Sequence, residues 1–252
     1  MKKMYRVVVM MVAVVALLAL SLPVQASKTD NRIESTAKQS YVFKTYLKGD
    51  DINIQSKDGA VTLTGTVADN HNKSLAQETV AGLPGVKSVD NRLEIKGTPP
   101  PENSDAWLTT KVKTILWLHR SVSGFSTEVN VKDGIVTLKG EAPGQAQKDL
   151  TTEYAKDVEG VKGVNNEMTV AKTSKKTRTA GDKIDDASIT AQVKITLLYH
   201  RSTSAINTKV QTKRGVVTLS GKAANAAEKD LAAKYAGDVS GVKSVKNRMT
   251  IE

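Results

Sequence analysis

One phrase occurs three times in this chain, and its repetition constrains the fold more than any other feature. The three versions read DGAVTLTGTV from Asp58, DGIVTLKGEA from Asp133 and RGVVTLSGKA from Arg214. In every copy a second shared phrase begins 26 residues after the turn glycine, without a gap. The paired glycines are Gly59 and Gly85, Gly134 and Gly160, and Gly215 and Gly241. This recurring spacing predicts three repeats of one small unit rather than one large domain.

The repeats also predict where the domains begin and end. Upstream of the turn, DAWLTTKVKTILWLHRS from Asp105 aligns without gaps over DASITAQVKITLLYHRS from Asp186. Copy one is looser there, because its apolar segment at 41–47 lies about four residues nearer its turn. The predicted units are 32–97, 104–171 and 184–252. A proline-rich spacer joins the first pair, and a polar, basic linker joins the second pair.

Local patterns predict the same order of elements in each unit. In copy two, Leu108, Val112 and Ile115 share one helical face, and Asp105 stands where an N-cap belongs. Alternating strands flank the Asp-Gly turn, since glycine accepts the positive φ of a tight hairpin. A second helix then leads to a final strand, which a right-handed crossover makes parallel to the second strand. The prediction is an α+β fold of three tandem αββαβ units, each a three-stranded mixed sheet with two helices on one face.

The two phrases carry a resemblance to a known family. Written as [DR]-G-x-V-T-L-x-G and G-V-x-x-V-x-N with a helix between them, they resemble the BON domain of bacterial envelope proteins. The resemblance covers essentially the whole chain after the first 26 residues. The resemblance implies the αββαβ fold, a hallmark glycine and a role in binding phospholipid surfaces. The family includes periplasmic proteins that carry BON domains in tandem and are induced by osmotic stress. By position the hallmark glycines are Gly65, Gly140 and Gly221. A glycine at a strand end permits a bend or a close backbone approach, and a direct ligand role stays open beside that explanation.

The first 26 residues carry the pattern of an export signal. Lys2, Lys3 and Arg6 precede an apolar run at 7–20, and the small-x-small sequence VQA ends at residue 26. The run is shorter than the roughly 20 residues that span a bilayer, which favours cleavage over a membrane anchor. The predicted location is therefore the periplasm. Removing this segment lowers the net charge from +11 to +8, a balance that favours anionic envelope surfaces as partners.

The first helices of copies two and three supply the candidate contact residues. Trp107 and Trp117 both lie in the copy-two helix, and Trp117 stands opposite its apolar stripe with Lys113 beside it. Copy three has Leu198 and Lys194 at the equivalent positions. An exposed apolar side chain beside a lysine is typical of contact with an anionic membrane. The alternative is that these side chains pack against a neighbouring unit.

No pattern predicts catalysis, a cofactor or a metal. The chain has no cysteine, which excludes disulfides and thiolate ligands. His119 and His200 align near helix C-termini, but one histidine per unit favours a core-edge or helix-dipole role over metal binding. His71 is predicted to be a loop residue without partners. Ser220, in TLSGK, lacks the leading glycine of a nucleophile elbow.

These patterns together favour a non-enzymatic periplasmic protein that engages an anionic membrane surface peripherally. The alternative is a stress protein that binds envelope client proteins through apolar helix surfaces. Nucleic acid is not an expected partner, because the basic residues are scattered among few aromatics, and no small-molecule substrate is expected.

Overall fold

The structure is a computed structural model that describes residues 28–122, 124–171, 183–203 and 208–252. The predicted signal segment and most of the second linker lie outside these ranges. Within them, no helix is long and apolar enough to cross a membrane.

Each of the repeats folds as one small domain with the predicted order of elements. In domain 1 these are α1 Lys28–Gln39, α2 Tyr41–Thr45, β1 Asp51–Lys57, β2 Ala60–Val67, α3 Asn70–Ala81, β3 Ser88–Asn91 and β4 Glu94–Ile95. In domain 2 they are α4 Asp105–Leu118, a 3-10 turn Gly124–Ser126, β5 Glu128–Lys132, β6 Ile135–Lys139, β7 Glu141–Ala142, α5 Gln145–Lys156, β8 Gly163–Asn166 and β9 Thr169–Val170. In domain 3 they are α6 Asp186–Tyr199, β10 Thr208–Lys213, β11 Val216–Ala223, α7 Ala226–Asp238, β12 Ser244–Asn247 and β13 Thr250–Ile251.

The sheets are mixed, as predicted. In domain 1, β1 and β2 are antiparallel, and the final strand pairs parallel to β2 as two segments, β3 and β4. Domains 2 and 3 repeat this arrangement with the same offset between paired residues. The α+β fold class of three tandem αββαβ units is confirmed.

An asparagine explains why the final strand is interrupted. The Asn91 side chain donates to the Lys73 carbonyl on α3 at 3.1 Å and accepts from the Leu93 amide at 3.2 Å. Asn166 and Asn247 make the same contacts in the other domains. The last residue of the phrase G-V-x-x-V-x-N therefore ties the final strand to the second helix.

The repeated turn is held by a carboxylate from the first helix. Asp58 and Gly59 have φ of 54° and 83°, so both central residues of the hairpin are left-handed, as a type I′ turn requires. The Asp30 carboxylate accepts from both of their amides at 3.0 Å. Asp105 and Asp186 hold the other turns in the same way.

Two expectations about the first helices were wrong. The N-cap of α4 is Ser104, whose hydroxyl accepts from the Trp107 amide, and Asp105 serves the turn instead. In domain 1 the first helix begins at Lys28, so this domain starts ahead of the predicted boundary at residue 32. The apolar segment at 41–47 is not that helix. It forms α2 and the turn after it, because α1 ends before Ser40 and Ser40 is the N-cap of a new helix, α2.

The three domains pack together around two cores. Domains 2 and 3 share a single apolar core built from both of their sheets and helices. The core of domain 1 extends onto α6 through Ala187, Ala191 and Ile195. Polar contacts secure this docking, since the amides of Tyr41 and Val42 donate to Asp185 at 2.9 Å and Ser188 at 3.1 Å. Helix α6 is consequently buried against both neighbouring domains.

Candidate functional site

Two histidines meet at the interface between domains 2 and 3. His119 and His200 are the C-cap residues of α4 and α6, where the prediction placed them. Their Nε2 atoms lie 3.0 Å apart, and both rings are almost fully buried. The prediction treated each as the isolated histidine of its own unit. It missed their pairing because only domain packing brings them together.

Each histidine reaches an aspartate of the other domain. His119 Nδ1 lies 3.2 Å from Asp238 Oδ2, and His200 Nδ1 lies 3.0 Å from Asp157 Oδ2. The aspartates also accept hydrogen bonds across the interface from the hydroxyls of Tyr154, at 2.7 Å to Asp238, and Tyr235, at 2.8 Å to Asp157. Each histidine ring stacks on the tyrosine of its own domain. The ring centroids of His119 and Tyr154 lie 3.8 Å apart, and those of His200 and Tyr235 lie 4.0 Å apart. The result is a reciprocal network with approximate two-fold symmetry.

The rest of the His-Arg-Ser phrase completes this network. Ser121 donates to the Asp238 carboxylate and Ser202 to the Asp157 carboxylate. The amide of Arg120 donates to the Asp238 carbonyl at 2.9 Å. The Arg201 amide makes the equivalent bond to Asp157 at 2.8 Å. The phrase shared by copies two and three is therefore an interdomain docking element.

A sequence signal for this network exists. Tyr154 and Asp157, spaced as Tyr-x-x-Asp, recur as Tyr235 and Asp238 in copy three. Copy one has neither this pair nor His-Arg-Ser. The joint occurrence of both patterns in two copies indicates that those copies pack on each other.

The electrostatics of the network indicate a structural role. Burial lowers the pKa of His119. Burial alone would raise the pKa of Asp157 and Asp238, but hydrogen bonds from histidine, serine and tyrosine hold it below the ordinary carboxyl value. Because the Nε2···Nε2 contact needs a proton on one ring and a lone pair on the other, it cannot persist once both rings are charged. Within the described residues, no group of His, Cys, Asp or Glu has the arrangement of a metal site.

The copy-two contact residues do not lie on an open surface. Trp107 packs partly buried against the shared core, with Lys111 Nζ 4.4 Å above its ring. Trp117 and Lys113 line a cleft of about 350 Å³ between α4 and domain 1. The Trp117 indole N–H donates to the Gly124 carbonyl at 3.1 Å.

The copy-three residues lie in a different cleft, of about 320 Å³, between α6 and α3. Lys194 forms an ion pair with Glu78 of domain 1 at 2.5 Å. Leu198 has 51% of its surface exposed, more than any other candidate contact residue. Lys113 and Trp117 thus line one cleft, and Lys194 and Leu198 line another, so the two pairs do not share one face.

His71 is not the loop residue that was predicted. It is the second residue of α3 and is only 4% exposed, and among the described residues its Nδ1 atom has no hydrogen-bond partner. Its ring lies against that of Tyr199 of domain 3, with centroids 5.8 Å apart. Burial lowers its pKa to about 3, so the ring is neutral. The periodicity of α3 alone gives no sign of this, because the covering surface belongs to another domain.

The hallmark glycines have a backbone explanation. Gly65 and Gly140 have φ of 111° and 123°, which side chains rarely adopt. A Cβ at Gly65 would lie 2.1 Å from the carbonyl oxygen of Asp51 on the paired strand β1, and a Cβ at Gly140 would lie 2.6 Å from the carbonyl oxygen of Ser126 in the 3-10 turn before β5. Gly221 shares the positive φ, at 123°. The turn glycines Gly59, Gly134 and Gly215 are explained by their left-handed φ.

Comparison with known proteins agrees with this architecture. The model of the BON domain matches residues 29–97, 104–172 and 185–252. The osmotically-inducible protein Y of Escherichia coli K12 is 37% identical over 143 residues, which cover 55% of this chain and 71% of that protein. The outer membrane lipoprotein DolP of Haemophilus influenzae is 34% identical over 115 residues, covering 45% of this chain and 59% of that protein.

Among solved structures, CdsD, a structural protein of the type III secretion system of Chlamydia trachomatis, aligns over 87% of this chain and 90% of its own. Its identity of 17% and TM-score of 0.24 are too low to carry an argument. The family matches do carry one, because they fall on three domains that share one topology and the same turn and asparagine contacts. The chain belongs to the BON domain family.

Proposed function

We propose that this protein is a non-enzymatic periplasmic envelope protein that binds anionic phospholipid surfaces. The observation that carries the proposal is its surplus of positive charge at the surface. The net charge is +8 beyond the predicted signal segment, and the ion pairs of the described residues engage only a few of the lysines and arginines. Such a surface is attracted to anionic lipid.

The relatives support the same location. One is named an outer membrane lipoprotein and another an osmotically-inducible protein, which fits a role in the stressed envelope. Three domains that pack on one another also favour binding to an extended surface, because several weak contacts can then form together.

Sedimentation with liposomes of increasing anionic content tests the proposal. Bound protein is expected to rise with the anionic fraction, and a flat response would refute surface binding. Leu198→Ala and Trp117→Ala test the helices as the place of contact. Weaker binding in either variant would put the contact at that helix, and unchanged binding in both would put it elsewhere on the basic surface.

A second candidate function is binding of envelope client proteins. The cleft between α3 and α6, with Leu198 exposed at its rim, supports it, since exposed apolar surface can hold an unfolded segment. Suppression of the aggregation of an unfolded envelope protein, lost in Leu198→Ala, would favour this function over the first.

A further inference from the structure

The outer face of the domain 3 sheet is strongly basic. Val210, Val217 and Leu219 are buried toward the helices, so the residues that alternate with them face outward. Lys209, Lys213, Lys222 and Lys246 are outward, cationic and exposed on these strands, and Arg248 is exposed in the break between β12 and β13. We call these five residues the basic face. The other outward residues of these strands are Gln211, Val216, Thr218, Ser220, Ser244 and Thr250. On the described strands of this sheet, the outward positions therefore hold no acidic residue.

The equivalent positions of the other domains are not basic. Domain 2 has Glu128, Lys132, Glu141, Asn165 and Glu167 there. Domain 1 has Asn53, Lys57, Thr66, Asp90 and Arg92. The formal charge at the same five places is thus +5 in domain 3, −2 in domain 2 and +1 in domain 1. Because the three domains have the same backbone fold, the difference in charge lies in their side chains alone.

The basic face also differs in how its charges are paired. In domain 2, Glu167 forms an ion pair with Lys139 at 3.5 Å, and in domain 1 Arg92 pairs with Asp90 at 2.6 Å. Within the described residues, none of the five cations of domain 3 has an ion-pair partner. Their charge is available to an external anion.

The geometry of the face selects the shape of that anion. The cations are spread over three paired strands, with Gln211 opposite Thr218 and Thr218 opposite Lys246. Strand spacing makes the face roughly 10 Å wide and about 20 Å long. The Lys209 and Lys213 edge of the face borders a cleft of about 730 Å³ that Ala81 and Gly82 of domain 1 also line. An array of charges spread across three strands fits a planar layer of anions better than a single polymer chain. The outward positions also lack aromatic side chains, on which nucleic acid bases would stack.

We propose that the basic face of domain 3 is the surface that lies on an anionic lipid bilayer. This inference rests on the proposed function and assigns its site. The face has no large apolar side chain to insert, so the contact is electrostatic and does not use the tryptophans of α4. It is therefore screened strongly by salt, since the Debye length falls from about 10 Å at 0.1 M to about 3 Å at 1 M.

Charge reversal on the face provides the test. The variant carries Lys209→Glu, Lys222→Glu and Lys246→Glu, all at exposed positions. Binding is measured by sedimentation with phosphatidylcholine vesicles that contain increasing phosphatidylglycerol. Each lysine near an anionic surface is worth about a factor of five, so the partition coefficient should fall at least ~100-fold.

The matched control carries the same change of net charge elsewhere. Lys57→Glu, Lys87→Glu and Lys132→Glu alter exposed lysines of domains 1 and 2, and two of them occupy the positions equivalent to Lys213. Less than a ten-fold loss is expected there. Circular dichroism and thermal melting confirm that both variants are folded.

The outcomes separate the site from the function. If the wild-type chain binds anionic vesicles and the charge-reversal variant binds them equally well, the proposed site is overturned and the proposed function stands. Equal losses in variant and control would also overturn the site, because net charge alone would then explain the binding. If the wild-type protein does not bind anionic vesicles, both the site and the proposed function are refuted. Retention on a heparin column without binding to vesicles would also refute both, since the partner would then be a polyanion.

Discussion

The buried His71 should make the docking of domain 1 sensitive to acid. Its ring is covered by domain 3 and its pKa is lowered by burial from 6.5 to about 3. A histidine with a depressed pKa contributes stability that is present above its unfolded pKa and is lost as the pH falls through the interval below it. The relevant window is therefore about pH 6.5 down to about pH 3. Replacing His71 by Phe keeps a ring against Tyr199 but removes the titration.

The size of the effect follows from the interval between the two pKa values. Below pH 6.5 the unfolded chain binds a proton that the folded chain excludes, which costs about 1.4 kcal/mol per pH unit. Between pH 7 and pH 5 this amounts to a loss of about 2 kcal/mol in the wild-type protein that His71→Phe should not suffer. All other residues are the same in both proteins, so the difference between the proteins isolates His71.

Guanidinium unfolding at pH 7, 6 and 5 is the assay. Fluorescence is a suitable probe, because Trp117 lies in the cleft between α4 and domain 1 that His71 also lines. The gap in unfolding free energy between His71→Phe and the wild type should widen by about 2 kcal/mol from pH 7 to pH 5. A gap that changes by less than about 0.5 kcal/mol would show that His71 is protonated without cost in the folded state, and the reasoning from burial would be wrong.

Three further sets of substitutions test other parts of the structure. Asp157→Asn and Asp238→Asn should each cost about 2–4 kcal/mol in unfolding free energy, and the two losses should be similar because the network is reciprocal; strongly unequal losses would contradict it. Gly65→Ala should lower the free energy of unfolding by about 2–4 kcal/mol in thermal melts, because φ is positive there and a carbonyl oxygen would lie 2.1 Å from the new Cβ. Gly49→Ala is the control: no described atom lies within 4 Å of its Cβ position, so the free energy of unfolding should change by less than about 0.5 kcal/mol. Arg214→Asn should stabilise domain 3 by about 0.5 kcal/mol, because Asn adopts the left-handed φ of 54° more readily than Arg; a lower melting temperature would refute this.

The candidate site was only partly predictable. The sequence indicated that Trp117 stands opposite the apolar stripe of its helix, and it does lie off the core of its own domain. That position still faces a cleft, because domain 1 docks beside it. The basic face was missed for a different reason. Its five cations are scattered over forty residues of chain and become neighbours only when three strands pair.

The amino-acid sequence alone determined the number of domains, the order of their elements and the family. These properties depend on short-range physics: the φ of Gly59 and its equivalents, the strand alternation around it, and the fixed spacing to the second phrase. Tertiary structure alone decided what each surface meets. The pairing of His119 with His200, the burial of His71 and the exposure of the basic face depend on contacts between residues far apart in the chain. Helix or strand periodicity tells which side of an element is apolar, but it does not tell which neighbouring domain, or which solvent-facing partner, will cover the other side.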